Sequence, residues 1–188
     1  MNLAFNFKDE LFWIHNVLPP KLYKEMYVEF IKNRNKLNFK KSHVEWRTYK
    51  EEVDDMSSSY GQTNFEENKF LDDFFKEYHI ILKHNPFVNF LNYRFQGSHL
   101  RLTKYNQHLA WHNDDAPHRT YAVTYYFNKT WGESWGGELM FKSNEGSGFI
   151  PVLGNSICIV KTGLRHKVNA VLKKTHPRFS IQTWIYDN

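Results

Sequence analysis

The segment WHNDD, residues 111–115, places a histidine and an aspartate one residue apart. In an extended strand, or where such a strand ends, side chains repeat every two residues, so His112 and Asp114 are expected on the same side. An imidazole and a carboxylate on one face form either a surface ion pair or two ligands of a bound cation. Because the chain has ten histidines, this pair alone does not establish a metal site.

A metal site needs a third ligand from another strand, and His166 is the candidate. It lies 54 residues after His112, follows a glycine-containing turn and opens the predicted strand HKVNAVL. Two imidazoles and one carboxylate form the facial triad that binds non-haem Fe(II) and leaves coordination positions open. Zinc accepts the same ligands, so the triad alone does not choose the metal. His108 and His118 are nearby alternatives, or else surface residues or substrate contacts.

An arginine begins the strand that follows the third candidate ligand. In RFSIQTWIY, period-two alternation puts Arg178 on one face with Ser180, Gln182 and Trp184. The other face carries the apolar residues Phe179, Ile181 and Ile185. The apolar face should pack against helices, which turns Arg178 toward the interior. A buried arginine is costly without a carboxylate, so we expect either a diacid co-substrate or an internal Asp or Glu as its partner.

These side chains require a rigid scaffold, and the sequence predicts helices first and strands after. Residues 19–36 and 63–84 carry apolar stripes at helical spacing. Between them, residues 43–53 alternate like a strand, and residues 54–64 are polar and predict a loop. From about Phe87 onward, short β-branched or aromatic runs alternate with turns, one of which is predicted at Gly97.

This order predicts a mainly β, α+β fold in a single domain of residues 1–188. We expect helical support mainly in residues 1–86 and an antiparallel barrel in about 87–188, with the helices packed on one face. With 188 residues, of which 41% are hydrophobic and 18% aromatic, the chain is long and apolar enough for a sizeable core.

Charge and cysteine content exclude several classes of protein. The net charge of +5 is diffuse, so it does not argue for nucleic-acid binding. The single cysteine, Cys158, excludes an internal disulfide and a zinc site built on several cysteines. No signal peptide is evident and no apolar stretch is long enough to span a membrane. We therefore expect a cytoplasmic protein with no membrane partner.

The motif H-x-D, a distal histidine and a basic residue beyond it resemble the 2-oxoglutarate and Fe(II)-dependent dioxygenases. The segments LRLTKYNQHLAWHNDD, YAVTYYFNKTW and WGGELMF resemble the prolyl 4-hydroxylase-like branch in order and spacing. The resemblance covers roughly Leu100 to Tyr186 and implies a double-stranded β-helix, which is a distorted jelly-roll barrel. It also implies Fe(II), 2-oxoglutarate and O2, with ascorbate as a further candidate cofactor.

The same resemblance implies roles for individual residues. His112, Asp114 and His166 match the three iron ligands, and Arg178 matches the residue that pairs with the distal carboxylate of 2-oxoglutarate. Arg178 is preferred to the lysines of LKKTHP because it is in phase with a strand interior.

Three further aromatic residues match positions around the co-substrate. Tyr126 matches a tyrosine whose hydroxyl bonds the same distal carboxylate, Trp184 would wall the site, and Tyr105 matches a tyrosine that contacts the co-substrate. The glycines of WGGELMF match a turn with a structural role.

The implied activity is hydroxylation of an unactivated C–H bond, with a prolyl residue in a peptide or protein as the expected substrate. The alternatives are a hydroxylase of a free amino acid or other small molecule, and a non-catalytic metal-binding barrel. Relatives that demethylate nucleic acids carry a second arginine six residues past the first, and Trp184 stands there instead. We also expect residues 51–64 to form a lid that contributes to substrate binding.

Overall fold

The computed structural model describes residues 1–34, 40–42, 60–64 and 72–188. Within these ranges the chain forms twelve strands and two α-helices. The strands are β1 (Asn2–Phe7), β2 (Leu11–His15), β3 (Lys40–Ser42), β4 (Tyr60–Asn64), β5 (Tyr93–Thr103), β6 (Leu109–His112), β7 (Arg119–Tyr126), β8 (Leu139–Ser143), β9 (Gly146–Ile150), β10 (Ser156–Lys161), β11 (Arg165–Val168) and β12 (Arg178–Asp187). The helices are α1 (Pro20–Asn33) and α2 (Asp72–Lys83). The predicted α+β, mainly β class is confirmed.

The strands form two antiparallel sheets that pack face to face. The large sheet has the order β1-β2-β10-β7-β12-β5-β4-β3, and the small sheet has the order β6-β11-β8-β9. A buried apolar cluster joins them, with Tyr126 and Cys158 from the large sheet and Leu139 and Phe141 from the small one. Two packed antiparallel sheets whose neighbouring strands are distant in sequence form the jelly-roll architecture.

The two helices cover the outer face of the large sheet. Phe179, Ile181 and Ile185 of β12 lie in one buried cluster with Phe30 of α1 and Tyr78 of α2. The rings of Phe30 and Phe179 lie 4.8 Å apart, edge to face. Burial of each such side chain contributes about 1.5–3 kcal/mol, so this face fixes the rotation of β12. The predicted packing of helices on one face is confirmed.

Helix α1 begins where the prolines predict. Pro20 occupies the first turn, where its missing N–H leaves no hydrogen bond unmade. Met26 and Phe30 are buried against the sheet, whereas Val28 on the opposite side is exposed. The apolar stripe therefore packs as its helical spacing predicts.

The predicted turn at Gly97 is wrong, because β5 runs without interruption from Tyr93 to Thr103. Its register with β12 shifts between the pairs Gln182–His99 and Trp184–Gln96, so β5 carries one extra residue there. Glycine in a strand often marks such a bulge, because it allows the backbone to accommodate the extra residue. The glycine therefore bends a strand instead of ending one.

The N-terminal half contributes strands as well as helices. Strands β1 and β2 extend one edge of the large sheet next to β10, and β3 and β4 extend the other edge next to β5. The prediction of a loop over residues 54–64 is wrong for Tyr60–Asn64, which form β4. Pairing with β5 organises this polar segment, which has little strand propensity of its own.

Two other predictions fall outside the described ranges. The strand predicted for residues 43–53 and most of the proposed lid, residues 51–59, are not among the residues that the structure describes. In the part of the chain that is described, no helix is long and apolar enough to cross a membrane.

Candidate active site

The two candidate histidine ligands lie on adjacent strands of the small sheet. Strand β11 pairs with β6 so that His166 lies directly opposite His112, and the two ring centroids are 4.2 Å apart. Both side chains are buried. Strand β8 pairs with the other edge of β11, which holds His166 in the middle of a three-stranded unit. One strand pair therefore joins residues that are far apart in sequence.

Asp114 reaches the histidines from a loop. Strand β6 ends at His112, and Asp114 has a φ of 54°, a left-handed conformation that Asp adopts more easily than most residues. The Gly163 N–H donates to the carbonyl of Asn113 at 3.0 Å. The Arg119 guanidinium donates to the carbonyl of Asp114, also at 3.0 Å. The predicted proximity of His112 and Asp114 is therefore achieved by an anchored turn and not by strand alternation.

The donor atoms of His112, Asp114 and His166 lie within 4.8 Å of one another. The Nδ1 atom of His112 lies 2.7 Å from the carbonyl of Ala110, and that of His166 lies 2.9 Å from the carbonyl of Leu164. Because a carbonyl only accepts, each Nδ1 carries a proton and a neutral ring presents the lone pair of Nε2. These Nε2 atoms lie 3.7 and 3.4 Å from the Asp114 carboxylate oxygens. Three acceptors converge, as a divalent metal ion requires.

Electrostatics also prepare these side chains as ligands. Burial, together with the charge of His166, lowers the pKa of His112 to about 4, so this imidazole is neutral at pH 7. Burial acts to raise the pKa of Asp114, but its contacts with His166 and His112 hold the pKa well below its ordinary value.

The opposite end of the site lies on the large sheet and contains Arg178. This residue is 3% exposed; its guanidinium donates to Ser180 Oγ at 3.0 Å and lies 5.1 Å from the centre of the Tyr126 ring. Among the residues that the structure describes, none places a carboxylate in an ion pair with Arg178, so the internal Asp or Glu partner is not found there. The Arg178 Nε and the Tyr126 hydroxyl are both buried, and neither satisfies the geometry of a hydrogen bond with any described residue, although the charge of Arg178 acts on that hydroxyl.

A glycine leaves room for the arginine stem. Gly137, in WGGELMF, has a φ of 78°, and a Cβ at this position would lie 3.1 Å from Cδ of Arg178 and 3.3 Å from the Trp131 ring. Glycine therefore permits both the backbone conformation and the close approach of the arginine. This is a structural role, as the sequence predicts.

One cavity joins the two ends. It is lined by the three candidate ligands and Arg178, with Ser180 and Gln182 completing the face of β12 that the sequence predicts to be interior. The sequence analysis missed Arg101, a buried arginine of β5 that lines the same cavity. In HLRLTKY, Arg101 alternates with Leu100 and Leu102. This alternation indicates an interior arginine when the segment belongs to one strand that continues through Gly97.

Three predicted site residues are not among those that line this cavity. Tyr126 is fully buried beside Arg178. Tyr105 is 41% exposed and lines a separate surface pocket, with the Lys174 ammonium 5.2 Å from its ring centre. Trp184 is half-buried on β12, and the guanidiniums of Arg101 and Arg119 lie 5.2 and 5.0 Å from its ring. The structure therefore does not bring Tyr105 to the triad, and it gives Trp184 the role of packing against two arginines near the site.

Comparisons with known proteins agree with this geometry. The profile of the 2OG-Fe(II) oxygenase superfamily matches residues 98–186. No curated protein sequence matches the chain significantly.

Among solved structures, the chain is similar to a prolyl-4-hydroxylase from Pseudomonas putida, with a TM-score of 0.66 and 13% identity over 95% of this chain and 93% of that one. It is similar to a prolyl hydroxylase from Trichoplax adhaerens, solved with a peptide fragment of hypoxia inducible factor, with a TM-score of 0.69 and 16% identity over 96% and 84% of the two chains. It is also similar to a viral collagen prolyl hydroxylase from Paramecium bursaria Chlorella virus-1, solved with 2-oxoglutarate, with a TM-score of 0.61 and 17% identity over 96% and 98%.

The superfamily match includes the triad, Arg178 and Arg101. Residues 98–186 thus match the 2-oxoglutarate and Fe(II)-dependent oxygenase superfamily, which supports the family that the sequence resembles. Its fold is the jelly-roll barrel predicted from the resemblance. The match to this superfamily implies Fe(II), 2-oxoglutarate and O2, and the buried triad fits the metal.

Proposed function

We propose that this protein hydroxylates a prolyl residue of a peptide or protein. The observation that carries its oxygenase chemistry is a single cavity that joins three buried metal-ligand side chains to a buried arginine. Each end of this cavity has a separate task.

At the first end, His112, Asp114 and His166 would hold Fe(II) from one side. The hydrogen bonds from each Nδ1 to a backbone carbonyl fix the ring orientation and direct Nε2 toward the metal. Three protein ligands leave coordination positions open for the co-substrate and oxygen.

At the other end, Arg178 and Tyr126 would bind the distal carboxylate of 2-oxoglutarate. The buried Arg178 Nε and Tyr126 hydroxyl make no hydrogen bond with the described residues. Both are donors, and a carboxylate is the acceptor that satisfies both. Burial raises the pKa of Tyr126, so its hydroxyl keeps the proton that it would donate. A buried guanidinium without a carboxylate to balance its charge is costly, and the co-substrate would remove that cost.

When bound, iron, 2-oxoglutarate and O2 supply the oxidation that converts a C–H bond to C–OH, while 2-oxoglutarate leaves as succinate and carbon dioxide. The protein itself positions the reactants and excludes water from the site. Leu109, Leu139 and Val168 line the cavity beside the triad, and apolar walls there exclude water that would compete for the open positions. The Thr124 hydroxyl donates to Gln182 at 2.8 Å, which fixes the polar wall.

The choice of a prolyl substrate is supported by the similarity to three prolyl hydroxylases, which extends over 95–96% of this chain. That similarity therefore includes α1, α2 and the N-terminal strands in addition to the barrel. One of these relatives was solved with a peptide fragment. A free amino acid or another small molecule is the alternative substrate class.

The experiment supplies Fe(II), 2-oxoglutarate, ascorbate and air to the protein with a library of proline-containing peptides. We expect succinate to form in step with the gain of one oxygen atom by a peptide, detected by mass spectrometry. Matched peptides with alanine for proline, and free L-proline, test the substrate class. Hydroxylation of free amino acids alone would establish the alternative. If no substrate stimulates 2-oxoglutarate consumption by the iron-loaded protein, the barrel binds metal without catalysis.

A further inference from the structure

Arg101 is a second cavity arginine, and the proposed function gives it no role. It is 8% exposed and lies on β5 between Leu100 and Leu102, whose side chains belong to the core that faces the helices. Neighbouring side chains of a strand point to opposite faces, so Arg101 points into the barrel. There it lines the same cavity as the triad and Arg178.

The two arginines serve different ends of that cavity. Arg101 lies opposite Ser180, two residues beyond Arg178 on β12, which corresponds to an offset of about 7 Å along the strands. The ring of Trp184, six residues beyond Arg178 on β12, contacts the guanidiniums of both Arg101 and Arg119, and Arg119 donates to the backbone carbonyl of Asp114. Arg101 therefore lies on the side of the cavity near the metal ligands, away from Arg178.

Packing holds Arg101 in this position. Its guanidinium lies 5.2 Å from the Trp184 ring centre, and contacts of this kind between a cation and an aromatic face are attractive. Trp184 is itself fixed on β12, which pairs with both β5 and β7. A cation held on a rigid sheet can define the position of a ligand.

A guanidinium beside a metal site favours a carboxylate that contacts both. Fe(II) and Arg101 are both positively charged, and the low dielectric of a buried site strengthens the attraction of each for an anion. 2-Oxoglutarate carries a carboxylate at each end, and Arg178 would take only the distal one. The carboxylate next to the 2-oxo group is the one that would lie at the metal.

We propose that Arg101 binds the carboxylate next to the 2-oxo group of 2-oxoglutarate, so that one arginine holds each end of the co-substrate. The inference rests on the proposed iron and co-substrate site. A carboxylate of the primary substrate is the competing occupant, and the test separates the two.

The test compares two 2-oxo acids of equal chain length, 2-oxoglutarate and 2-oxopentanoate, which lacks the distal carboxylate. Their dissociation constants are measured anaerobically with Fe(II), from the visible charge-transfer band. We expect Arg178→Met to weaken the binding of 2-oxoglutarate but not that of 2-oxopentanoate. Arg101→Met should weaken both acids by a similar factor, about tenfold or more, because a hydrogen-bonded charged group is lost. Arg101→Lys should be intermediate, and Arg94→Met, which changes an exposed arginine of the same strand, should match the parent.

Fe(II) affinity measured without any 2-oxo acid separates ligand binding from a structural role. Removing a positive charge near the metal should leave that affinity unchanged or raise it, and a fall would overturn the proposal. The proposal is also overturned if Arg101→Met binds both acids like the parent, even if this variant binds the primary substrate poorly. A loss of affinity for 2-oxoglutarate alone would overturn it as well. If the parent binds Fe(II) but neither acid, the proposed function itself fails.

Discussion

The small sheet and the large sheet each contribute one end of the cavity, and they prepare their polar side chains differently. On the small sheet, His112 and His166 each use Nδ1 to bond a backbone carbonyl, so their metal-facing atoms are fixed in advance. On the large sheet, the Arg178 Nε and the Tyr126 hydroxyl are buried and make no hydrogen bond within the described part of the chain. The histidine end is thus organised by the backbone, whereas we propose that a bound carboxylate completes the arginine end. Substitutions at the triad should abolish Fe(II) binding. Substitutions at Arg178 or Tyr126 should weaken 2-oxoglutarate binding without abolishing it.

The largest expected effect is at Asp114. Asp114→Ala removes the carboxylate of the triad and leaves two imidazoles, so the charge-transfer band of anaerobic Fe(II) with 2-oxoglutarate should disappear. Asp115→Ala is the matched control, because Asp115 is an exposed neighbour and its loss should leave the band unchanged. A full-intensity band in Asp114→Ala would show that the Asp114 carboxylate is not a metal ligand. The same loss is expected for His112→Ala and His166→Ala.

Arg178→Ala should weaken the binding of 2-oxoglutarate while leaving iron binding intact. Loss of one side of a buried, hydrogen-bonded charge pair costs roughly 2–5 kcal/mol, so the Michaelis constant for 2-oxoglutarate should rise about thirty-fold or more. Arg178→Lys should lose less, because it keeps the charge but not the bidentate fork.

Two exposed lysines provide the control for that variant. Lys173 and Lys174 lie against Trp135 and Tyr105 outside the cavity, so their alanine variants should keep the parent constant. If one of them showed the large defect while Arg178→Ala resembled the parent, Arg178 would not be the co-substrate residue.

A smaller effect is expected at Arg119, which donates to the backbone carbonyl of Asp114. Arg119→Gln should loosen the turn that carries this ligand. Groups that orient metal ligands are typically worth about 10–100-fold in metal affinity, and we expect the lower end, because the Gly163 N–H also anchors the loop. Anaerobic Fe(II) titration measures it, with Arg34→Gln at the exposed end of α1 as the control. Unchanged affinity would mean that the backbone alone positions Asp114.

The smallest effect concerns neighbouring tyrosines on opposite faces of β7. Tyr126→Phe removes a hydroxyl that makes no hydrogen bond with any described residue, so the ligand-free protein should be as stable as the parent or about 1 kcal/mol more stable. Its 2-oxoglutarate affinity should fall about 3- to 10-fold. Tyr125→Phe removes a hydroxyl that bonds Asn155, so it should lose stability and keep the affinity.

Denaturant unfolding and 2-oxoglutarate titration of both tyrosine variants would test this contrast. A loss of stability in Tyr126→Phe would show that its hydroxyl is already satisfied in the folded protein, and the co-substrate end would then resemble the metal end.

Much of the site could be predicted from residue type and period. His112, Asp114 and His166 were identified as ligands by their chemistry, and the structure brings them together. Arg178 was placed on the interior face because β12 alternates between apolar and polar residues, and the buried strand follows that alternation. Period-two alternation is a local property, so a single segment is enough to reveal it.

Other features depend on which strands pair and in what register. Asp114 reaches the triad through a left-handed turn, Gly97 lies in a continuous strand, and Tyr60–Asn64 pair with β5 although their composition predicts a loop. The pairing of β5 with β12 places Arg101 in the cavity. The sequence by itself determined the chemistry of the site and the faces of its strands. Register, bulges and edge strands were decided by the tertiary structure, because they arise from hydrogen bonds and packing between segments that are distant in the chain.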